Sequence, residues 1–399
     1  MAAVVRAERL EPGRGPAEGP FARALRGEAG PARGFLPSLP SSEDAWKAAL
    51  DEAASRLVGE DARRSAIAKR LAERQAALGA GERAVAGARA LGRPSTLAVV
   101  TGHQPGLLGG PLLTFHKAAG AVHLARQLDG LGGHRVVPVF WLASEDHDLD
   151  EANRLGLLDR EGQVRRLRLD LDADGRSMMH REVPAEAVGA LMASVAETLP
   201  ATDRAPAALA LVGRPPGEAF GSWCARAFLA LLGEPGLVLV EPDVLLPFAG
   251  PEFGMLVRRG TAIRDAMAAC GRRLRARDLP APLAPPVGEL PLFLRMEARG
   301  RRRRLHEQGN GTVRIRDAPG SMTLAELAAR LEAHPDLGSG DAAGRVFVQN
   351  ALLPVAVYLG GPTELAYHAQ VRAAHEAVGR AYPRVVPRPS ATWIDKKAE

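Results

Sequence analysis

The stretch LAVVTGHQPGLLGGP at 97–111, with VVPVFWLA at 136–143, decides the fold. Residues 97–101 form a short apolar run of strand formers, and a glycine-rich turn follows. From Pro111 the pattern predicts a helix of about 18 residues, ended by Gly130, Gly132 and Gly133. Residues 136–143 are apolar without alternation. Strand, helix and unbroken apolar strand make a βαβ unit. That unit predicts an α/β fold whose parallel sheet is covered on both faces.

Upstream, residues 1–40 are rich in Gly, Pro and Arg and read as an irregular arm. Residues 41–92 read as helical. Ser41 or Ser42 can cap a first helix bearing Trp46, Leu50, Ala54 and Leu57 at three- and four-residue spacing. A second covers 61–78, with Ile67 and Leu71 inward, and Gly79–Gly81 breaks it. Downstream, 155–171 reads as a hairpin turning at Glu161-Gly162. Helices are predicted at 185–198 and 217–232, a buried strand at 236–241 and one long helix at 252–275. Five prolines mark a connector at 280–291. A small β-ribbon follows at 292–316, then a helix at 323–334, a strand at 355–359, a helix at 362–378 and a last strand at 384–387. No fixed-period repeat is evident.

The chain has 399 residues, 46% hydrophobic and 25% charged, which excludes wholesale disorder. Its longest useful apolar run, 136–143, falls far short of the roughly 20 residues a membrane span needs. The net charge is +6, yet only five of the 52 basic residues are lysine. Arginine with abundant Ala and Gly reflects a GC-rich coding bias, so the charge does not argue for nucleic acid. Small anionic ligands remain suitable. Two cysteines, Cys224 and Cys270, make no disulfide framework and are expected to be buried, inert thiols. No apolar leader is visible at the N-terminus, and the cytoplasm is the expected address.

Three places carry candidate chemistry. The first is Thr101, Gly102, His103 and Gln104, continuing to Gly109, Gly110 and Pro111 between strand and helix. Proline suits the first helical position, and the free N–H groups with the helix dipole favour an anion. Neither a Walker loop nor a GxGxxG fingerprint is present. The alternative is a tight crossover and nothing more. The second is Glu145, Asp146, His147 and Asp148, with Asp150 and Glu151, directly after the most apolar strand. Ligands of open parallel sheets bind beyond the carboxyl ends of the strands. Extended geometry would put Glu145 and His147 on one side, Asp146 and Asp148 on the other. Such a cluster suits a general base, recognition of an amine or hydroxyls, or magnesium. An acidic helix start is the plainer alternative. The third is Gly360, Gly361 and Pro362 after a strand, with Glu364, Tyr367 and His368 at i, i+3 and i+4 on one helix face. A surface polar stripe would look the same. Lys117 suits a phosphate or carboxylate, or plain solvation. The run Arg301–Arg304 with His306 lacks interleaved aromatics and reads as a solvated hairpin.

Taken together, VVTGHQPGLLGGPLLTFHKA at 99–118, VPVFWLASEDHDLDE at 137–151, RVFVQNALLPVAVYLGGPTELAYHAQV at 345–371 and PRPSAT at 387–392 resemble the bacillithiol biosynthesis cysteine-adding enzyme family, BshC. The resemblance implies a Rossmann-like core of the class I synthetase and nucleotidyltransferase kind. Its core would run through 93–160, 236–279 and 341–399, interrupted by connecting segments at 161–235 and 280–340. It implies attachment of cysteine to the amine of glucosaminyl-malate, with ATP as co-substrate and magnesium as an accompanying ion. No membrane or nucleic-acid partner is implied. By position, Glu145, Asp146, His147 and Asp148 would be catalytic. Thr101, Gly102, His103, Gln104, Gly109, Gly110, Lys117, Gly360, Gly361, Glu364 and Tyr367 would bind substrate or anion. No protein-held metal ligand set is implied. Family members usually continue into a long antiparallel coiled coil. This sequence stops at Glu399, and Asn350 stands where Asp is usual, so a monomer or weak dimer is expected. The alternatives are another nucleotidyltransferase-like enzyme, or a non-catalytic nucleotide- or metabolite-binding protein.

Overall fold

A computed structural model describes residues 19–57, 59–214 and 217–390. Residues 1–18 of the expected arm and 391–399 of the last core segment lie outside the described residues. Four helices come first: α1 (Pro20–Leu25), α2 (Glu43–Ser55), α3 (Asp61–Ala77) and α4 (Glu82–Ala90). The βαβ unit is β1 (Thr96–His103), α5 (Leu112–Leu128) and β2 (Arg135–Leu142). A short helix α6 (Leu149–Ala152) leads into the hairpin β3 (Arg154–Leu158) and β4 (Val164–Arg168). Helices α7 (Ala185–Thr198), α8 (Ala205–Val212) and α9 (Phe220–Leu232) precede β5 (Val238–Val240). Next come α10 (Gly250–Arg258) and α11 (Gly260–Arg275). The second sheet contributes β6 (Glu289–Arg295), β7 (Arg302–Glu307), β8 (Thr312–Ile315) and β9 (Ser321–Thr323). The chain then runs through α12 (Leu324–Ala333), β10 (Gly338–Gly340), α13 (Gly344–Leu352), β11 (Val355–Gly360), α14 (Pro362–Ala377) and β12 (Arg384–Pro387).

The central sheet has the order β12-β11-β1-β2-β5, and every neighbouring pair is parallel. From β1 the chain builds one way through β2 and β5, then the other way through β11 and β12. This reversal beside β1 is the switch point of a Rossmann-like α/β fold. Both faces are covered, which is why β1 is apolar without alternation. Leu97 and Val99 pack with Ala121 and Ala125 of α5 and with Leu50 and Ala53 of α2. Ala98 and Val100 pack on the opposite face with Ile67 and Leu71 of α3 and Val371 of α14. Each such valine or leucine contributes about 2 kcal/mol of burial. A carboxylate in place of Val99 would abolish that and leave a charge between sheet and helix.

Several expectations are corrected. Pro111 is the residue before α5, with ψ 154°, and the helix begins at Leu112. The single helix expected at 252–275 is two, broken at Arg259. At the break a Cβ on Gly260 would lie 2.5 Å from Leu290, so α11 needs glycine there to approach β6. Glu289–Pro291 belong to β6 rather than to a connector. The ribbon is part of a five-stranded antiparallel sheet, β10-β6-β7-β8-β9. Residues 20–25 of the arm are helical. Helix α13 lies where the sequence reading assigned no element. Asp341 Oδ1 accepts from the N–H groups of Ala343 and Gly344 and starts the helix, while Val346 and Phe347 enter the core.

Candidate active site

The carboxyl ends of β1, β2 and β11 meet at the switch point, and the candidate residues gather there. Strand β1 runs two residues past its apolar stretch, so Gly102 and His103 are strand rather than turn. Thr101 is wholly buried, and its hydroxyl donates to Leu359 O at 2.8 Å; it serves the sheet rather than a ligand. A Cβ on Gly102 would lie 2.6 Å from Trp141 O, so only glycine lets β1 pair with β2 at this point. The turn passes through Gly109 (φ 91°) and Gly110 (φ 81°), left-handed positions where glycine removes strain.

Lys117 is neither solvated nor a free anion hook. Its Nζ donates to Gly102 O at 2.9 Å and lies 2.6 Å from Glu364 Oε2, with both side chains largely buried. Burial lowers the Lys117 pKa, opposed by the Glu364 charge and hydrogen bond. Glu364 in turn accepts from Tyr358 at 2.8 Å and from the Gly361 N–H at 2.8 Å, capping α14. Tyr367 lies behind, its hydroxyl 3.4 Å from that of Tyr358, with the Arg345 charge nearby. Gly360 is the last residue of β11, and its carbonyl accepts from Arg388. The face shared by Glu364, Tyr367 and His368 is internal: His368 is fully buried and hydrogen-bonded to Tyr382.

The acidic cluster is a turn, not an extended segment, so the expected alternation of sides does not hold. Asp146 Oδ1 accepts from the N–H groups of His147 and Asp148, at 2.7 and 3.3 Å, and folds the chain around itself. Its Oδ2 accepts from Gln104 Nε2 at 2.9 Å. Arg302 of β7 reaches across from the second sheet and donates to Asp146 Oδ1 at 3.3 Å and to Gly340 O at 2.8 Å. Burial alone would raise the Asp146 pKa. The hydrogen bond from His147, the Arg302 charge and the Gln104 amide outweigh it and hold the group well below the usual carboxylate range. Arg302 is also 3.0 Å from His147 Nδ1. Phe293 stacks beneath, 4.0 Å from the Arg302 guanidinium and edge-on to His147. Asp148 is exposed and its carboxylate joins none of this.

Glu145 is different again. It is 6% exposed, accepts from Trp141 Nε1 at 3.3 Å, and its Oε2 has no partner. Burial raises its pKa, against the nearby charges of Arg345 and Arg302. His103 places Nδ1 3.1 Å from Gln104 O, so Nδ1 donates and Nε2 keeps its lone pair. Burial and the charges of Lys117 and Arg345 lower its pKa, so the ring is neutral near pH 7.

The structure thus brings together His103, Gln104, Lys117, Glu145, Asp146, His147, Glu364 and Tyr367. It adds Tyr358, from the start of the third segment, Arg302, from the arginine run read as solvated, and Arg345, which the sequence reading gave no role. The run at 301–304 is not a solvated hairpin throughout: Arg302 is 4% exposed. Strand alternation would have put Arg302 and Arg304 on one face, the only signal available. The three carboxylates at 145, 146 and 148 do not converge and do not fit a protein-held magnesium ion. Among the described residues no group of three or more His, Cys, Asp or Glu is placed to hold a metal. Nor is any helix there long and apolar enough to cross a membrane.

A parallel sheet with a switch point, its carboxyl end met by an arginine from a second sheet, defines a Rossmann-like α/β protein. The pattern described as "Bacillithiol biosynthesis BshC, N-terminal Rossmann-like domain" matches residues 30–389, and the chain belongs to that family. It is 32% identical over 338 residues to a protein of Heliobacterium modesticaldum, covering 82% of this chain and 60% of the relative. It is 33% identical over 351 residues to one of Symbiobacterium thermophilum, covering 83% and 62%. It is 27% identical over 360 residues to one of Bacillus cereus, covering 89% and 65%. Each relative is named "Putative cysteine ligase BshC". The chain spans about three fifths of the length of these relatives.

Proposed function

We propose that the chain carries the activity its relatives are named for: a cytoplasmic ligase that joins the carboxyl group of cysteine to the amine of glucosaminyl-malate. Family membership supports the reaction class. The observation that carries the reading is the company at one switch point of a neutral imidazole with an open nitrogen, a buried carboxylate of raised pKa, and an arginine without an ion-pair partner. Amide formation needs an activated carboxyl group, supplied by ATP as an acyl phosphate or acyl adenylate, and a neutral amine. His103 Nε2 takes the proton from the sugar ammonium. The amine nitrogen then attacks the carbonyl carbon, the C–O bond to phosphorus-bound oxygen breaks, and the surplus proton on nitrogen leaves with the departing phosphate or AMP. The glycine turn and the start of α5 are the place for the departing anion, because backbone N–H groups and the helix dipole favour it there. Cys224 and Cys270 take no part, since the thiol of the product comes from the substrate.

The test is incubation of the 399-residue chain with glucosaminyl-malate, cysteine and ATP, followed by mass spectrometry of the product. The expected result is a cysteinyl amide with stoichiometric release of ADP or AMP. Nucleotide release independent of cysteine would move the assignment to another nucleotidyltransferase-like activity. Binding of all three compounds without turnover would make it a binding protein.

A further inference from the structure

Of the charged side chains gathered at the switch point, four form two close pairs. Lys117 and Glu364 form an ion pair at 2.6 Å, and Arg302 and Asp146 one at 3.3 Å. Arg345, the second residue of α13, and Glu145 remain. Neither makes an ion pair within 4.0 Å among the described residues, with each other or with any other group. Each nevertheless lies in the other's field. Arg345 is half-buried, with Tyr367 beside it, and keeps donors that an anion can reach. Glu145 Oε2 is buried without a partner. The unpartnered Glu145 oxygen costs stability unless a donor reaches it, and the guanidinium in whose field it lies can still take an anion.

We infer that Arg345 and Glu145 together recognise a zwitterionic α-amino acid, the guanidinium taking its carboxylate and Glu145 its ammonium. The inference rests on the ligase reading for the identity of that amino acid, cysteine, and deepens it. An ammonium held on Glu145 stays protonated and is no nucleophile. The amino acid therefore presents only its carboxyl group for reaction, and the sugar supplies the attacking amine. Arg345 marks where that carboxyl group lies, and a planar guanidinium suits a carboxylate through two parallel bonds.

The experiment is calorimetric titration of the whole chain with four probes. These are L-cysteine, L-serine, cysteamine (which lacks the carboxylate) and 3-mercaptopropionate (which lacks the ammonium). L-cysteine should bind about ten- to hundredfold more tightly than either truncated analogue. Arg345→Gln should reduce cysteine to the affinity of cysteamine and leave cysteamine unchanged. Glu145→Gln should reduce cysteine to the affinity of 3-mercaptopropionate and leave that probe unchanged. A residue that only supports the fold would weaken matched and unmatched probes alike. The fields acting on Glu145 come from Arg345 on α13, Arg302 on β7, Arg295 on β6 and the adjacent Asp146. Ionised Glu145 is the form that binds ammonium, so affinity for cysteine should fall as pH drops through its raised pKa. Tight binding of L-serine but not cysteine, with the same dependence on both side chains, supports the zwitterion site and removes the cysteine ligase reading. The inference is overturned if the unmodified chain binds the truncated analogues as tightly as cysteine. It is equally overturned if that chain binds no amino acid, or if each variant weakens every probe equally.

Discussion

Lys117 on α5 and Glu364 on α14 close a 2.6 Å ion pair across the switch point, joining the two helices that follow the two glycine turns. Because both are mostly withdrawn from water, removing one partner strands the other's charge. Lys117→Met or Glu364→Gln should each cost about 3–5 kcal/mol of unfolding free energy. The double variant should recover part of that loss. A double-mutant cycle in denaturant checks it, and simple additivity would mean the pair is not coupled.

Asp146 is stabilising although it sits among other acidic groups. Its pKa is depressed in the folded chain, so its contribution is present above the unfolded value near 4 and is lost as pH falls through the folded value. Asp146→Asn should therefore cost about 2 kcal/mol at neutral pH. The difference from the unmodified chain should shrink as the solution is acidified below about pH 4. Melting curves from pH 3 to 8 show whether it does.

Glu145 carries the opposite sign. Its pKa is raised by burial, so ionising it destabilises the fold, beginning above the unfolded value near 4.3 and complete above the folded one. Glu145→Gln keeps an acceptor for Trp141 and should raise the melting temperature at pH 8. At pH 4 it should change little. Equal melting shifts at both pH values would show that the carboxylate is not titrating in the folded chain.

Arg302 is the strut between the second sheet and the pocket. Arg302→Met takes the guanidinium away from Asp146, His147 and Gly340 O and should cost about 3–5 kcal/mol. Arg314→Met, exposed on the same sheet, should stay within about 0.5 kcal/mol. The comparison separates a buried arginine from the ordinary surface arginines around it.

Both thiols are buried, and burial pushes their pKa values up. A thiol reagent should therefore modify neither Cys224 nor Cys270 in the folded chain and both in denaturant. The Cys224→Ala, Cys270→Ala double variant should keep product formation. Loss of turnover in a folded double variant would point to a covalent thioester.

The frame of this fold is plain in its apolar runs, because a strand buried on both faces has no polar positions to confuse the pattern. The limits of β1 are not. Gly102-His103 looks like a turn, and only pairing with Trp141 and Leu142 makes it strand. The helix break at Arg259 is equally invisible, since it answers to Leu290 of a strand about 30 residues further on. At the site, residues next to long apolar runs were readable, including His103 and Glu145. Arg302 and Arg345 were not: in a chain with 52 basic residues, most of them arginine, one more carries no signal until packing withdraws it from water. The alternation expected at 145–148 failed because Asp146 bonds to the N–H groups that follow it.

The sheet order has a consequence for synthesis. One edge of β1 is taken by β2, but the other waits for β11, as the Thr101 to Leu359 hydrogen bond across 258 residues records. At about 5–20 residues per second, the ribosome leaves that edge open for about 13–50 s. Nascent chains stalled before residue 355 should therefore be captured by chaperones or aggregate through an unpaired Leu97–Val100 strand, and protease resistance of β1 should appear only once β11 has emerged.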